Sequence, residues 1–136
     1  MPEYYFEDLN PGDVFHSPNF VLSEQEMVEF ASKYSSHFGG LIAGGFQTAA
    51  LAWALAQKTG VFKACSMAGI SVDRLRWVGP VRAGDTLTCC FELLKKKNSA
   101  SRPGQGIATW RFDIMNQHNE LILTMQLTNL LKCRGG

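Results

Sequence analysis

The sequence has 136 residues, 46% of them hydrophobic and 18% charged. That length suits one domain, and 9 Phe, 3 Trp and 3 Tyr give too much apolar mass for an intrinsically disordered chain. With 13 basic and 12 acidic residues the net charge is only +1, which excludes attachment to nucleic acid by bulk charge.

The charged fraction falls below the roughly 25% usual for soluble domains. Part of the surface is therefore expected to meet another copy of the chain rather than water. Met1 to Asp8 shows no basic stretch followed by an apolar one. No secretory leader is expected, and the predicted location is the cytoplasm. Cys65, Cys89, Cys90 and Cys133 form no C-x-x-C pair, and there are only 3 histidines. No metal site is expected, and the cysteines read as reduced packing residues. The longest apolar run, Leu41 to Ala56, is broken by Gly44-Gly45 and Gln47-Thr48. It is shorter than the ~20 residues that span a bilayer, so a buried helix is expected and no membrane span.

In chain order, Asn10-Pro11-Gly12-Asp13 signals a turn. Val14-Phe15 and Phe20-Val21-Leu22 read as brief strands. Ser23-Glu24-Gln25-Glu26 is a capping box that opens a helix. Met27, Phe30, Ala31 and Tyr34 then recur at i, i+3, i+4, i+7, which is one apolar stripe. A second helix is predicted from Ala43–Gly45 to about Thr59, with Gly60 as its stop. It is Ala-rich and uncharged before Lys58, so the rest of the protein must wrap it.

From Ile70 the period changes to two. Ile70 to Val78 is strand-like, and Val81 to Asp85 is a turn. From Thr86 to Lys95, Leu87, Cys89, Phe91 and Leu93 alternate with polar neighbours, placing Cys89 and Cys90 on opposite faces. In Ile107 to Gln117, Ala108, Trp110, Phe112 and Ile114 share a face; in Leu121 to Leu130, Leu123, Met125 and Leu127 do. Three alternating strands with short connections make an antiparallel meander. An all-apolar helix and a sheet with one greasy face satisfy each other if the sheet curls around the helix. The predicted class is α+β, a single hotdog domain over 1–136. Such a sheet leaves an edge and a helix end open, so a homodimer or larger homo-oligomer is expected.

Particular residues sharpen this. Tyr5-Phe6-Glu7-Asp8-Leu9-Asn10-Pro11-Gly12-Asp13 resembles the opening of the MaoC-like dehydratases, the hotdog (R)-specific enoyl-CoA hydratase group. Ser23 to Ala31 resembles that family's first helix. Phe38-Gly39-Gly40-Leu41-Ile42-Ala43-Gly44-Gly45 resembles its F-G-G-x-I-A-x-G signature. Leu75-Arg76-Trp77 with Pro80-Val81-Arg82-Ala83-Gly84-Asp85-Thr86-Leu87 resembles its P-V-x-x-G-D-T-L segment. The matches run through nearly the whole chain in the family's order.

The resemblance implies an acyl-CoA thioester substrate, with coenzyme A as part of the substrate and no other cofactor. It implies reversible addition of water to a 2-enoyl group. A helix N-terminus presents free N–H donors and a partial positive charge. Gly44 and Gly45 would let a thioester carbonyl approach them and develop enolate charge; by resemblance the amide of Gly45 plays this part. The same glycines would equally serve close helix–sheet packing. Trp53, Trp77 and Trp110 read as core-packing residues, with Trp77 or Phe46 a candidate to wall the acyl tunnel. Gln47 and Thr48 are a polar pair that either lines the pocket or orients a water. Lys95-Lys96-Lys97 and Arg102 end a hairpin, as a solvated face or as partners for coenzyme A phosphates.

The chain departs from the family at one place. Hydration needs an acid/base pair, which in relatives is an Asp and a His between the first helix and F-G-G. Here Tyr34 is followed by Ser35-Ser36-His37 and then Phe38, and no Asp or Glu lies between Glu29 and Asp73. Either the segment is lost from this protein or the sequence in hand lacks it. The catalytic residues are therefore unassigned, with His37 the local candidate. His16 and His118 read as surface residues. The expected activity is a hydratase or dehydratase; the alternatives are a hotdog acyl-CoA thioesterase and a non-catalytic acyl-thioester-binding module.

Overall fold

The structure is a computed structural model that describes residues 3–34 and 45–135, without the side chain of Tyr34. After a 3-10 turn at Phe6–Asp8, the elements are β1 (Val14–His16), β2 (Phe20–Val21), α1 (Glu24–Tyr34) and α2 (Gly45–Gln57). They continue as β3 (Ser66–Trp77), β4 (Thr86–Asn98), β5 (Gln105–Met115) and β6 (Leu121–Lys132). The strands make one sheet in the order β1-β4-β5-β6-β3, with β2 paired to β4, and every pairing is antiparallel.

Alternation sets the two faces. Leu87, Cys89, Phe91 and Leu93 of β4 stand beside Trp110, Phe112 and Ile114 of β5, all fully buried. α2 lies across β4 and β5 on that face. Aromatic rings fill the gap: Trp53 stacks on Phe112 at 6.1 Å, and Phe62 meets Trp110 edge-on at 5.1 Å. Burying a large apolar side chain is worth about 1.5–3 kcal/mol, so this layer is the main source of stability. Cys89 lies inside and Cys90 is half-buried on the other face; burial pushes the Cys89 thiol up to about 12 and the Cys65 thiol to about 11. The helix-in-sheet arrangement is the hotdog fold expected from the sequence.

The helix caps follow the sequence with one difference. The Ser23 hydroxyl accepts from the Glu26 N–H at 3.1 Å, and Glu26 reaches back to that hydroxyl at 3.0 Å rather than to a backbone N–H.

Three expectations need correction. α2 is not wrapped on every side: Phe46, Ala50 and Ala54 form an exposed stripe along it. β3 starts at Ser66, earlier than the periodicity at Ile70 signals, because Ser66–Gly69 pairs with β6 while staying exposed on both faces. Trp77 is not a core residue but is 46% exposed.

The position of Trp77 has a backbone cause. Val72 faces inward opposite Leu127, and simple alternation would turn residue 77 outward. A bulge between Asp73 and Arg76 adds one residue, with Arg74 in the left-handed region at φ 53°. Bulges re-aim the side chains beyond them. Trp77 therefore pairs with inward-facing Leu123 and turns toward the start of α2.

Candidate functional site

The site forms where α2 begins. Gly45 is the first residue of this 13-residue helix, whose first turn contains no acidic side chain. The helix itself therefore supplies no carboxylate to neutralise the positive end of its dipole. The Trp77 indole Nε1 donates to the Gly45 carbonyl at 2.7 Å. A Cβ on Gly45 would sit 2.6 Å from that nitrogen and 2.7 Å from Cε2 of the same ring. Glycine is thus required here by close packing, which is the role weighed against substrate access. The two roles coincide, because the indole that excludes a side chain also fixes the helix terminus.

Phe46, 70% exposed, meets Trp77 edge-on with ring centroids 5.4 Å apart. Two exposed aromatic rings beside the start of a helix suit a ligand with a polar carbonyl and an apolar tail.

Gln47 points the other way. Its Nε2 donates to the Glu26 carbonyl at 3.1 Å, tying α2 to α1. Among the described residues its Oε1 is buried without a hydrogen-bond partner, a costly state that a donor group would relieve. A cavity of about 410 Å³ opens there, lined by Glu26, Glu29, Phe30, Ser32, Lys33 and Gln47. Sequence reasoning missed that Glu26 and Glu29 share a cavity with Gln47. The available clue was the i, i+3 spacing of Glu26 and Glu29, which sets both on one helix face.

The remaining candidates separate. Gly44 and His37, with most of the F-G-G signature, lie outside the described residues. Lys95-Lys97 sit at the far end of the sheet. Ile107, opposite Lys97, lies seven residues along β5 from Ile114, which shares a row with Leu123 and so with Trp77. That is roughly 23 Å at the usual strand rise. Within one protomer these lysines are remote from Gly45. His16 and His118 are exposed, and all four cysteines are free. Among the described residues no group of three or more His, Cys, Asp or Glu is placed to hold a metal, and no helix is long and apolar enough to cross a membrane.

Beyond Trp77 lies a larger cleft of about 560 Å³, with Val78, Arg82, Asp85, Gln117 and His118 among its lining. Burial raises the Asp85 pKa. The Arg82 N–H, the Gln117 amide and the charges of Arg82 and His118 more than offset this and hold it below the ordinary value.

Comparison with known proteins gives the family and supports the fold. A family profile described as a MaoC like domain matches residues 22–111. The protein MaoC of Klebsiella aerogenes is 30% identical over 130 residues, covering 81% of this chain and 38% of MaoC. The chain thus spans well under half the length of that relative. The crystal structure of a MaoC-like dehydratase from Rhodospirillum rubrum superposes with a TM-score of 0.84 at 27% identity, covering 96% of this chain and 97% of that one. A Mycobacterium tuberculosis protein described as having a double hotdog fold superposes with a TM-score of 0.71 at 23% identity, covering 96% of this chain and 44% of that one.

Proposed function

The chain belongs to the MaoC-like domain family, and from that membership we propose that it binds an acyl-CoA thioester at the N-terminus of α2 and acts as a hydratase/dehydratase-type lyase. The observation that carries this is the start of α2: Gly45 without a side chain, no acidic residue in the first turn, and the Phe46–Trp77 wall beside it. The thioester carbonyl oxygen accepts from the helix N–H donors. As water oxygen bonds to C3 of the enoyl group and a proton reaches C2, enolate charge gathers on that oxygen, where the donors stabilise it most. Phe46 and Trp77 shield the acyl chain from water. Gln47 Oε1 offers an acceptor for the attacking water. No cofactor beyond the coenzyme A of the substrate is invoked.

One observation favours a second reading, a non-catalytic acyl-thioester-binding module. From Phe30 to Val72 the chain has no carboxylate, and only Ser35, Ser36 and His37 separate Tyr34 from Phe38. A general acid/base must then come from elsewhere, and Glu26 and Glu29 are the carboxylates that line the cavity beside Gln47.

A second copy of the chain completes the molecule in this proposal. β3 is an edge strand exposed on both faces, with Met67, Ile70 and Val72 each about half exposed. Such an edge invites pairing. The double hotdog relative, more than twice this chain's extent, holds two such folds in one polypeptide. Ile70→Asp is expected to shift the protein to monomer in sedimentation experiments.

Crotonyl-CoA tests the activity. Loss of enoyl absorbance without thiol release is the expected result. Free thiol release would identify a thioesterase. Saturable binding without turnover would establish the binding module, and neither binding nor turnover across several acyl lengths would overturn the proposal.

A further inference from the structure

We propose that the outer face of the sheet, away from α2, carries a second ligand site that binds a phosphate group or similar oxyanion. The device that builds it is a β-bulge between Leu93 and Lys95. Before the bulge, Cys90 and Glu92 pair with outward-facing Asp113 and Arg111. The extra residue shifts the alternation, so Lys95 and Lys97 pair with Thr109 and Ile107 on that same outer face. Lys96 turns inward, where its Nζ donates to the Phe6 carbonyl at 2.9 Å and sits 4.6 Å from the centre of the Phe6 ring. One lysine of the run is thus committed to packing and two are delivered to the surface side by side, about 6.6 Å apart along the strand.

Lys95 and Lys97, with Lys96 between them, border a concavity of about 300 Å³ whose other lining is Ile107, Thr109 and Thr128. The register continues the row from Lys95 through Thr109 to Thr128. The two threonine hydroxyls are 3.0 Å apart and share one hydrogen bond, in which either is the donor. Whichever donates, the other keeps its proton, so the pair always has one O–H to offer an occupant. Thr109 is 91% buried, which fixes the floor of the site. No ion pair or hydrogen bond engages the Lys95 or Lys97 ammonium groups among the described residues. The sequence from Leu93 to Trp110 contains no Asp or Glu to neutralise them. Two unpaired ammonium groups over a hydroxyl donor, in a concavity of this size, match one tetrahedral oxyanion rather than an extended polymer.

This site is distinct from the start of α2 and does not depend on the proposed function. Titration of the intact protein with inorganic phosphate and with ADP, followed by calorimetry and ³¹P NMR, tests it. Saturable binding at low salt is expected, weakened at least tenfold by the pair Lys95→Ala and Lys97→Ala. Thr109→Val, which keeps shape and both charges, is expected to weaken it several-fold. Circular dichroism establishes that the variants are folded. Absence of saturable binding to the wild-type protein, or equal binding by the double variant, would overturn the proposal. An unchanged affinity in Thr109→Val would overturn the role given to the hydroxyl floor.

Discussion

Replacing Gly45 by Ala probes the helix terminus where stability and ligand binding meet. The added methyl would lie 2.6–2.7 Å from two atoms of the Trp77 indole, so the ring must move. Its motion breaks the 2.7 Å bond from Nε1 to the Gly45 carbonyl, a loss of about 0.5–1.5 kcal/mol. It also disturbs the edge-on contact with Phe46, worth about 0.5–1.5 kcal/mol. Alanine's better helix propensity returns at most about 1 kcal/mol. The net expectation is a loss of about 1–2 kcal/mol, or a fall in Tm of roughly 3–8 °C for a chain of this size. Thermal and urea unfolding measure it, and a double-mutant cycle with Trp77→Ala isolates its cause. Without the indole, Gly45→Ala should be neutral or mildly stabilising, a coupling of at least about 1 kcal/mol. Additivity within about 0.5 kcal/mol would refute the reasoning that the indole is what forbids a side chain at residue 45.

Other expectations concern separate parts of the fold. Arg74 occupies the left-handed region at φ 53° in the β3 bulge, which costs a non-glycine residue roughly 1–2 kcal/mol; Arg74→Gly should raise stability by up to about 1 kcal/mol after glycine's greater unfolded-state entropy, and a loss would contradict the bulge geometry. The folded-state pKa of Asp85 is lowered from its ordinary 3.8, so its stabilising contribution is full above that value and disappears as pH falls through the folded-state pKa. Gln117→Leu, which removes the amide that donates to Asp85 at 3.0 Å, should flatten the acid-side decline of stability. Burial places the Cys89 thiol at about 12 and Cys65 at about 11, so both should resist thiol reagents at pH 8 until the protein is unfolded; rapid labelling of either in the native state would argue against the core packing.

β4, β5 and β6 were legible because one face of each is buried. Leu87, Cys89, Phe91 and Leu93 alternate in sequence for the same reason they alternate in space. α2 was legible from its lack of charge, yet its exposed stripe at Phe46, Ala50 and Ala54 was not. Alanine and phenylalanine look alike to a hydrophobicity pattern whether they face a core or a partner. The first turns of β3 carry no alternation because neither face is covered, so periodicity has nothing to record. The bulges at Arg74 and Leu94 escaped for another reason. Each adds one residue to a ladder and inverts every side chain beyond it, while composition stays unremarkable. Those inversions deliver Trp77 to Gly45 and sort Lys96 from Lys95 and Lys97. Gly45 was found by resemblance, but the ring that accounts for it lies thirty-two positions away. The α1 carboxylates near Gln47 likewise depend on how two helices pack, which no local pattern encodes.

The most direct test of the central claim is a crystal structure of the protein with a saturated acyl-CoA such as butyryl-CoA. The thioester carbonyl oxygen is predicted to lie within hydrogen-bond distance of the backbone N–H groups that open α2 at Gly45, with the acyl chain against Phe46 and Trp77. A ligand bound with its thioester away from this terminus, or none bound at concentrations that saturate relatives of the family, would contradict the account.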